Sequence, residues 1–287
     1  MVETPPARRR LLGAALRRYR ESLGYRLEDA ARILECDRSK ISRIESGQRG
    51  IRPRDLRDLL SEYGVGEQEQ LTLTAIAHPH RASDWWQPYA GVLSNPWLDY
   101  LIIEAAASQI DAYQPQQVPD LLQTHEYAHA VATADPAMSP GTQALALDAM
   151  LTRQQLILAK RQPELAVVIG EGALHQAVGG TEVMRAQLAY LAEMSSTCPQ
   201  IVIQVLPFAG GPYPAGGSGP LSILRFADVP SLGVVHLSGP CGGIILDSPP
   251  DVAGHAQAFT LLRASALTPA ATTRLLRDMA TRRERWT

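Results

Sequence analysis

Apolar residues along this chain follow two regimes. Up to about residue 80 they recur every third or fourth position, the spacing of one helix face. Leu11, Leu12, Ala15, Leu16 and Tyr19 predict a first helix over about residues 8–23, with Gly24 supplying the left-handed turn that ends it. Leu27, Ala30, Ala31 and Leu34 predict a second helix, and Ile41 with Ile44 a third. Gly47 and Gly50 break the pattern. Pro53 then opens a fourth helix carrying Leu56, Leu59, Leu60 and Tyr63. Gly64 and Gly66 end that helix, and a fifth covers about 67–77.

Residues 78–84 read as a linker, and a larger domain begins at Trp85 and Trp86. Its opening pattern predicts helices at about 96–103, 124–134 and 141–160. After Pro163 short β-branched runs take over. They predict strands at 165–169, 201–206, 221–226, 233–237 and 244–246, with helices near 172–178 and 181–196. A last helix pair is expected at about 251–266 and 269–283. The expected fold is a mainly α five-helix domain over residues 1–80, followed over 81–287 by an α+β domain with a small sheet.

Between Ile41 and Ile44 and just before them, Arg38, Ser39, Lys40, Ser42 and Arg43 are left to face outward. Arginine matches guanine edges in a bidentate fork, while serine, lysine and further arginines hold phosphates. Charge agrees with this reading. Residues 1–66 hold 15 Lys and Arg against 10 Asp and Glu, whereas the remainder holds 12 against 19. A basic module on an acidic body points to a nucleic-acid contact confined to the first. The apolar fraction of 45% is too high for a disordered chain. Cys36, Cys198 and Cys241 are too few and too scattered for a disulfide framework, which fits a reducing compartment. No run approaches the ~20 apolar residues of a membrane span. A soluble, cytoplasmic protein without a membrane partner is expected.

Residues 11–63 resemble the lambda-repressor-like, XRE-type helix-turn-helix, above all in Ser39-Lys40-Ile41-Ser42-Arg43-Ile44-Glu45-Ser46-Gly47. From Trp85-Trp86 onward the chain is similar to the C-terminal domain of WhiJ-like regulators of actinobacteria. The matching blocks are Val118-Pro119-Asp120-Leu121-Leu122-Gln123-Thr124, Arg153-Gln154, Val178-Gly179-Gly180 with Met184-Arg185-Ala186-Gln187-Leu188, and Ile203-Gln204-Val205-Leu206-Pro207-Phe208 before Gly210-Gly211. A ratio of 2 Lys to 25 Arg fits a GC-rich genome. The resemblance implies a transcriptional regulator binding double-stranded DNA, with a second domain that dimerises, binds a small partner protein as antitoxin-like regulators do, or senses a small molecule. Three positions depart from the family pattern. Arg26-Leu27 stand where the family has Thr/Ser-Gln, whose glutamine meets a phosphate, and Arg26 is expected to take over that contact. His175 replaces an arginine, and His236-Leu237-Ser238 replaces Tyr-x-Glu. Trp85, Trp86, His175 and His236 are therefore the candidate ligand residues.

Other motifs carry less. His125-Glu126-Tyr127-Ala128-His129 fits HExxH, which on a helix sets two imidazoles one turn apart for zinc, with Glu126 as base and Asp135 as a third ligand. That would make the chain a repurposed metal-dependent enzyme. Ala132 stands where such enzymes turn on a glycine, so ordinary helix residues, no cofactor and no enzymatic activity are expected. Prolines in the glycine-rich stretch 210–220 remove backbone donors that a phosphate cradle needs, which leaves a loop. Ser218, Ser222 or Ser238 could sit beside His236, yet no G-x-S-x-G elbow occurs.

Overall fold

Residues 6–78 fold as five helices: α1 (Ala7–Ser22), α2 (Leu27–Ile33), α3 (Arg38–Glu45), α4 (Pro53–Glu62) and α5 (Glu67–Ala77). The computed structural model describes residues 6–78, 85, 87–89, 93–134, 136, 138–161, 163–210, 219–239 and 243–281. The expected linker at 79–84, Trp86, Asp135, the segment 211–218 and Cys241 lie outside the described residues. Capping sets the helix starts. The Asp37 carboxylate accepts the Ser39 N–H at 2.7 Å and opens α3. At α2 the arginine in the cap position cannot accept a hydrogen bond. The Asp29 carboxylate instead reaches back to the Arg26 N–H at 2.6 Å, one half of a capping box. α1 crosses the end of α3 at Gly13, where a Cβ would fall 2.4 Å from the Glu45 carbonyl oxygen. Only glycine permits that approach.

The body contains α6 (Asn95–Ala106), β1 (Gln109–Gln114), α7 (His125–Ala132), α8 (Pro140–Gln154), β2 (Glu164–Gly170), α9 (Thr181–Thr197), β3 (Ile201–Leu206), β4 (Leu221–Arg225), β5 (Gly233–Leu237), β6 (Ile244–Leu246), α10 (Pro249–Ser265) and α11 (Pro269–Thr281). The six strands form one mixed sheet in the order β3-β2-β1-β4-β5-β6. β1, β2 and β3 run parallel, while β4, β5 and β6 pair antiparallel. Orientation therefore switches between β1 and β4. One sheet face packs on α6, α9 and α11 and the other on α10, so both are buried. The all-α module and the α+β body with its sheet match the expected fold class.

Three elements differ from the sequence reading. The central strand β1 was not expected, because Gln-Ile-Asp-Ala-Tyr-Gln carries a weak strand signal until neighbours on both sides pair with it. The helix expected at 172–178 is only a 3-10 turn, Glu171–Leu174. The helix expected at 141–160 loosens at Gln155 into a π-helical turn, Gln155–Arg161. Such turns interrupt regular helices mostly near functional sites.

The module is docked on the body. Asp99 of α6 accepts the Ala7 N–H at 2.5 Å and lies 3.4 Å from the Arg8 guanidinium. Arg10 reaches Asp247 at 3.0 Å, and Thr72 reaches Asp228 at 3.2 Å. Buried residues of α1 and α5 join those of α6 and the sheet in one continuous apolar cluster.

Candidate functional site

The recognition face follows from how α2 and α3 pack. Ile41 and Ile44 turn inward, which leaves Arg38, Ser39, Ser42 and Arg43 exposed, with Arg26 exposed at the α2 entrance. Arg38 is 2.9 Å from Glu28, a surface pair that water screens. Arg43 leans back on Ser39, donating to its carbonyl at 3.2 Å. Lys40 departs from the expectation that it faces outward. Its Nζ lies 2.7 Å from Asp55 Oδ2 on α4 and the pair is largely covered, so Lys40 ties α3 to α4. Between α2 and α3 the chain turns on Glu35 at φ 47°, a left-handed conformation that glycine adopts more readily.

The body holds a second constellation, over the point where strand direction switches. Cross-strand partners Val167, Ala112, Ser222 and His236 form a row across β2, β1, β4 and β5. Ala112 and Ser222 are small and leave depth above the sheet, which α6 fills with Trp97, Tyr100 and Glu104. Arg153 of α8 enters from the side. Its Nε and Nη2 donate to both Glu104 oxygens at 2.6 and 2.7 Å, and its Nη1 donates to Asp120 at 3.2 Å. The guanidinium also lies 5.3 Å from the Trp97 ring centre and 5.8 Å from that of Tyr100. Tyr100 stacks on His236 at 4.3 Å and donates its hydroxyl to Glu104 at 2.7 Å. Burial, reinforced by the Glu104 charge, pushes the Tyr100 hydroxyl well above its ordinary pKa. For Arg153 burial works against the charge, but Glu104 more than offsets it and the pKa is raised.

Two cavities meet at Trp97, Asp120 and Arg153. The one over the sheet has about 30 Å³ of open space, roughly a single water. The other, about 220 Å³, lies between α6, α7 and α8 and is mostly apolar.

Of the ligand candidates among the described residues, His236 alone lines these cavities. Trp85 lies edge-on to Tyr89, whose hydroxyl bonds Asp148, and lines neither cavity. Its role is packing against the core. His175 is exposed beyond the 3-10 turn, stacked on Phe208 and 3.4 Å from Glu171. Ser238 Oγ is 3.5 Å from His236 Nδ1, longer than a working nucleophile–base contact, and Ser222 faces His236 across the strand pair. His125 and His129 are both exposed on α7, and no group of three metal-ligating side chains occurs among the described residues.

Sequence reasoning missed Glu104 as a site residue and the pairing of Arg153 with it. The signal was a lone carboxylate in the apolar run Tyr100-Leu101-Ile102-Ile103-Glu104-Ala105-Ala106, since a buried charge requires a partner.

Comparison with known families gives two matches. A helix-turn-helix domain matches residues 11–73. A domain of unknown function, DUF5753, matches residues 97–278, which includes every residue around Arg153 named above. No curated protein matches the chain, and no solved structure matches it. Among the described residues no helix is long and apolar enough to cross a membrane.

Proposed function

We propose that this chain, which belongs to the family of the domain of unknown function DUF5753 and carries a helix-turn-helix domain ahead of it, is a cytoplasmic, non-enzymatic, sequence-specific regulator of transcription whose body senses a ligand. The DNA-binding part is carried by one observation. The second helix of a helix-turn-helix exposes Arg38, Ser39, Ser42 and Arg43 together, with Arg26 beside them, while its apolar side is sealed against α1. The XRE-type pattern of residues 39–47 and the WhiJ-like blocks of the body support the same reading.

The sensing part draws on α6, which has two working sides. Asp99 holds the start of α1, and Trp97, Tyr100 and Glu104 on the same helix line the buried cavities. A shift of α6 on ligand binding would move the helix against which the recognition helix is packed. Pairing of two copies accompanies this reading, because one recognition helix reads few base pairs and paired half-sites about 34 Å apart give more affinity.

The test is a gel-shift titration of full-length protein on its own upstream DNA. Arg38→Ala should weaken specific binding by about 1–3 kcal/mol if it reads a base edge. Arg26→Ala should weaken all sequences alike and flatten the salt dependence. Unchanged binding in both variants, with circular dichroism intact, would remove this face from the interface.

A further inference from the structure

We propose that the pocket between the start of α1, the turn from α3 to α4 and the end of α5 binds a small molecule with an anionic head on an apolar body, the head being held by Arg9 and Arg49. The site lies in the helix-turn-helix module and stands apart from the sensing reading of the body.

Close backbone contact brings its parts together. Gly47, at φ 73°, packs against the start of α1, where a Cβ would fall 2.9 Å from the Arg10 backbone nitrogen. The Arg49 N–H donates to the Arg43 carbonyl at 2.9 Å, which folds the turn back on the end of α3. Between these segments and the last residues of α5 lies a pocket of about 210 Å³. Its apolar wall comes from Leu12, Ile51 and the half-buried Ala77, backed by Ile44 at the end of the recognition helix. At this volume, below the ~300 Å³ where drug-sized sites begin, the occupant is one ring or a short chain.

Charge selects the head. Many cations of the module meet a carboxylate: Arg17 pairs with Glu21, Arg20 with Glu45 and Arg38 with Glu28. Arg9 and Arg49 differ. Both are exposed, both line the pocket, and neither guanidinium has an ion pair or a hydrogen-bond acceptor among the described residues. No Asp or Glu lines the pocket among those residues. Two guanidinium groups beside one recess repel each other until an anion lies between them, and each offers a planar fork that matches a carboxylate or a phosphate. Arg8 lines the same pocket but is held by Asp99 of α6 at 3.4 Å, so the recess borders the seam between module and body. A DNA phosphate would meet the two exposed arginines and leave the apolar recess behind them empty. A small amphiphilic anion fills both parts.

Four probes, titrated by calorimetry into full-length protein, separate head from body: 3-phenylpropanoate, phenyl phosphate, 3-phenylpropan-1-ol and acetate. At least one of the two aromatic anions should bind. The alcohol should bind about tenfold more weakly or worse for want of a charge, and acetate likewise for want of an apolar body. Arg9→Gln with Arg49→Gln, at two exposed positions, should weaken the bound anion about tenfold or more and leave the alcohol as it was. Ala77→Phe, which fills the apolar part and leaves both arginines in place, should abolish binding. Equal affinity for the alcohol, or anion binding undiminished in either variant, would overturn the proposal. So would failure of both aromatic anions to bind protein that still shifts DNA. In that last case a double variant with weaker DNA binding and a flatter salt dependence would assign the two arginines to the DNA backbone instead.

Discussion

Two buried Arg–Glu pairs, one in each part of the molecule, share nearly the same geometry and differ in their surroundings. In the module, Arg20 of α1 grips both Glu45 oxygens at 2.7 and 2.8 Å and donates its remaining nitrogen to the Tyr25 carbonyl at 2.7 Å. The pair joins α1 to the end of α3, and the exposed Glu21 carboxylate lies 3.4 Å from the same guanidinium. The hydrogen bond that Arg20 donates to Glu45 is the leading influence on Arg20 and raises its pKa. In the body, Arg153 grips Glu104 the same way, and its third nitrogen donates to Asp120, a second carboxylate that reaches solvent. The rings of Trp97 and Tyr100 lie against the guanidinium and two cavities adjoin it. For Arg153 burial is the leading influence, opposed by Glu104. Each guanidinium holds two carboxylates, one of them reaching solvent, so the difference lies in the space around them: Arg20 and Glu45 join two helices, whereas Arg153 and Glu104 border open volume.

The largest effects should come from breaking either pair on one side. Arg20→Ala or Glu104→Ala strands the partner's charge in the interior, and each should cost about 3–5 kcal/mol in denaturant unfolding. Removing both members separates the two roles. Arg20→Met with Glu45→Leu should leave stability nearly unchanged or improved, with DNA binding retained. Arg153→Met with Glu104→Leu should also fold, yet change DNA affinity, because α6 then loses the contact that ties it to α8. Unchanged DNA affinity in the second double variant would remove the distinction between staple and site.

A smaller effect is expected at Gly13, where the pair-bearing helices meet. A methyl group there lands 2.4 and 2.6 Å from the carbonyl oxygens of Glu45 and Ile44. Backbone is on the receiving side, so Gly13→Ala should destabilise by about 1–3 kcal/mol and weaken DNA binding as α3 tilts. Thermal unfolding beside a gel shift measures both. Lys40→Met should cost about 1 kcal/mol of stability through loss of the Asp55 contact, leaving the salt dependence of DNA binding as it was. A flattened salt dependence would return Lys40 to the phosphate-contacting set. Smallest of all, Glu35→Gly should relieve the left-handed turn and stabilise by less than about 1 kcal/mol, because the added chain entropy of glycine offsets part of the gain.

Much of this architecture was written in local sequence. The five helices of the module, strands β2 to β6 and the outward set on α3 follow from periodicity, caps and glycine stops, all of which act over a few residues. Glu104 in its apolar run announced a buried charge without naming a partner. The rest was decided by distance along the chain. β1 becomes a strand because β2 and β4 satisfy its backbone from both sides. Arg153 meets Glu104 at a sequence separation of 49, and Asp55 withdraws Lys40 from a surface where helical spacing alone had placed it. The cavity between α6, α7 and α8 is the clearest case, because no short stretch of sequence brings those three helices together. Periodicity reports which face of an element is buried. Which side chains it is buried against depends on packing that only the folded chain fixes.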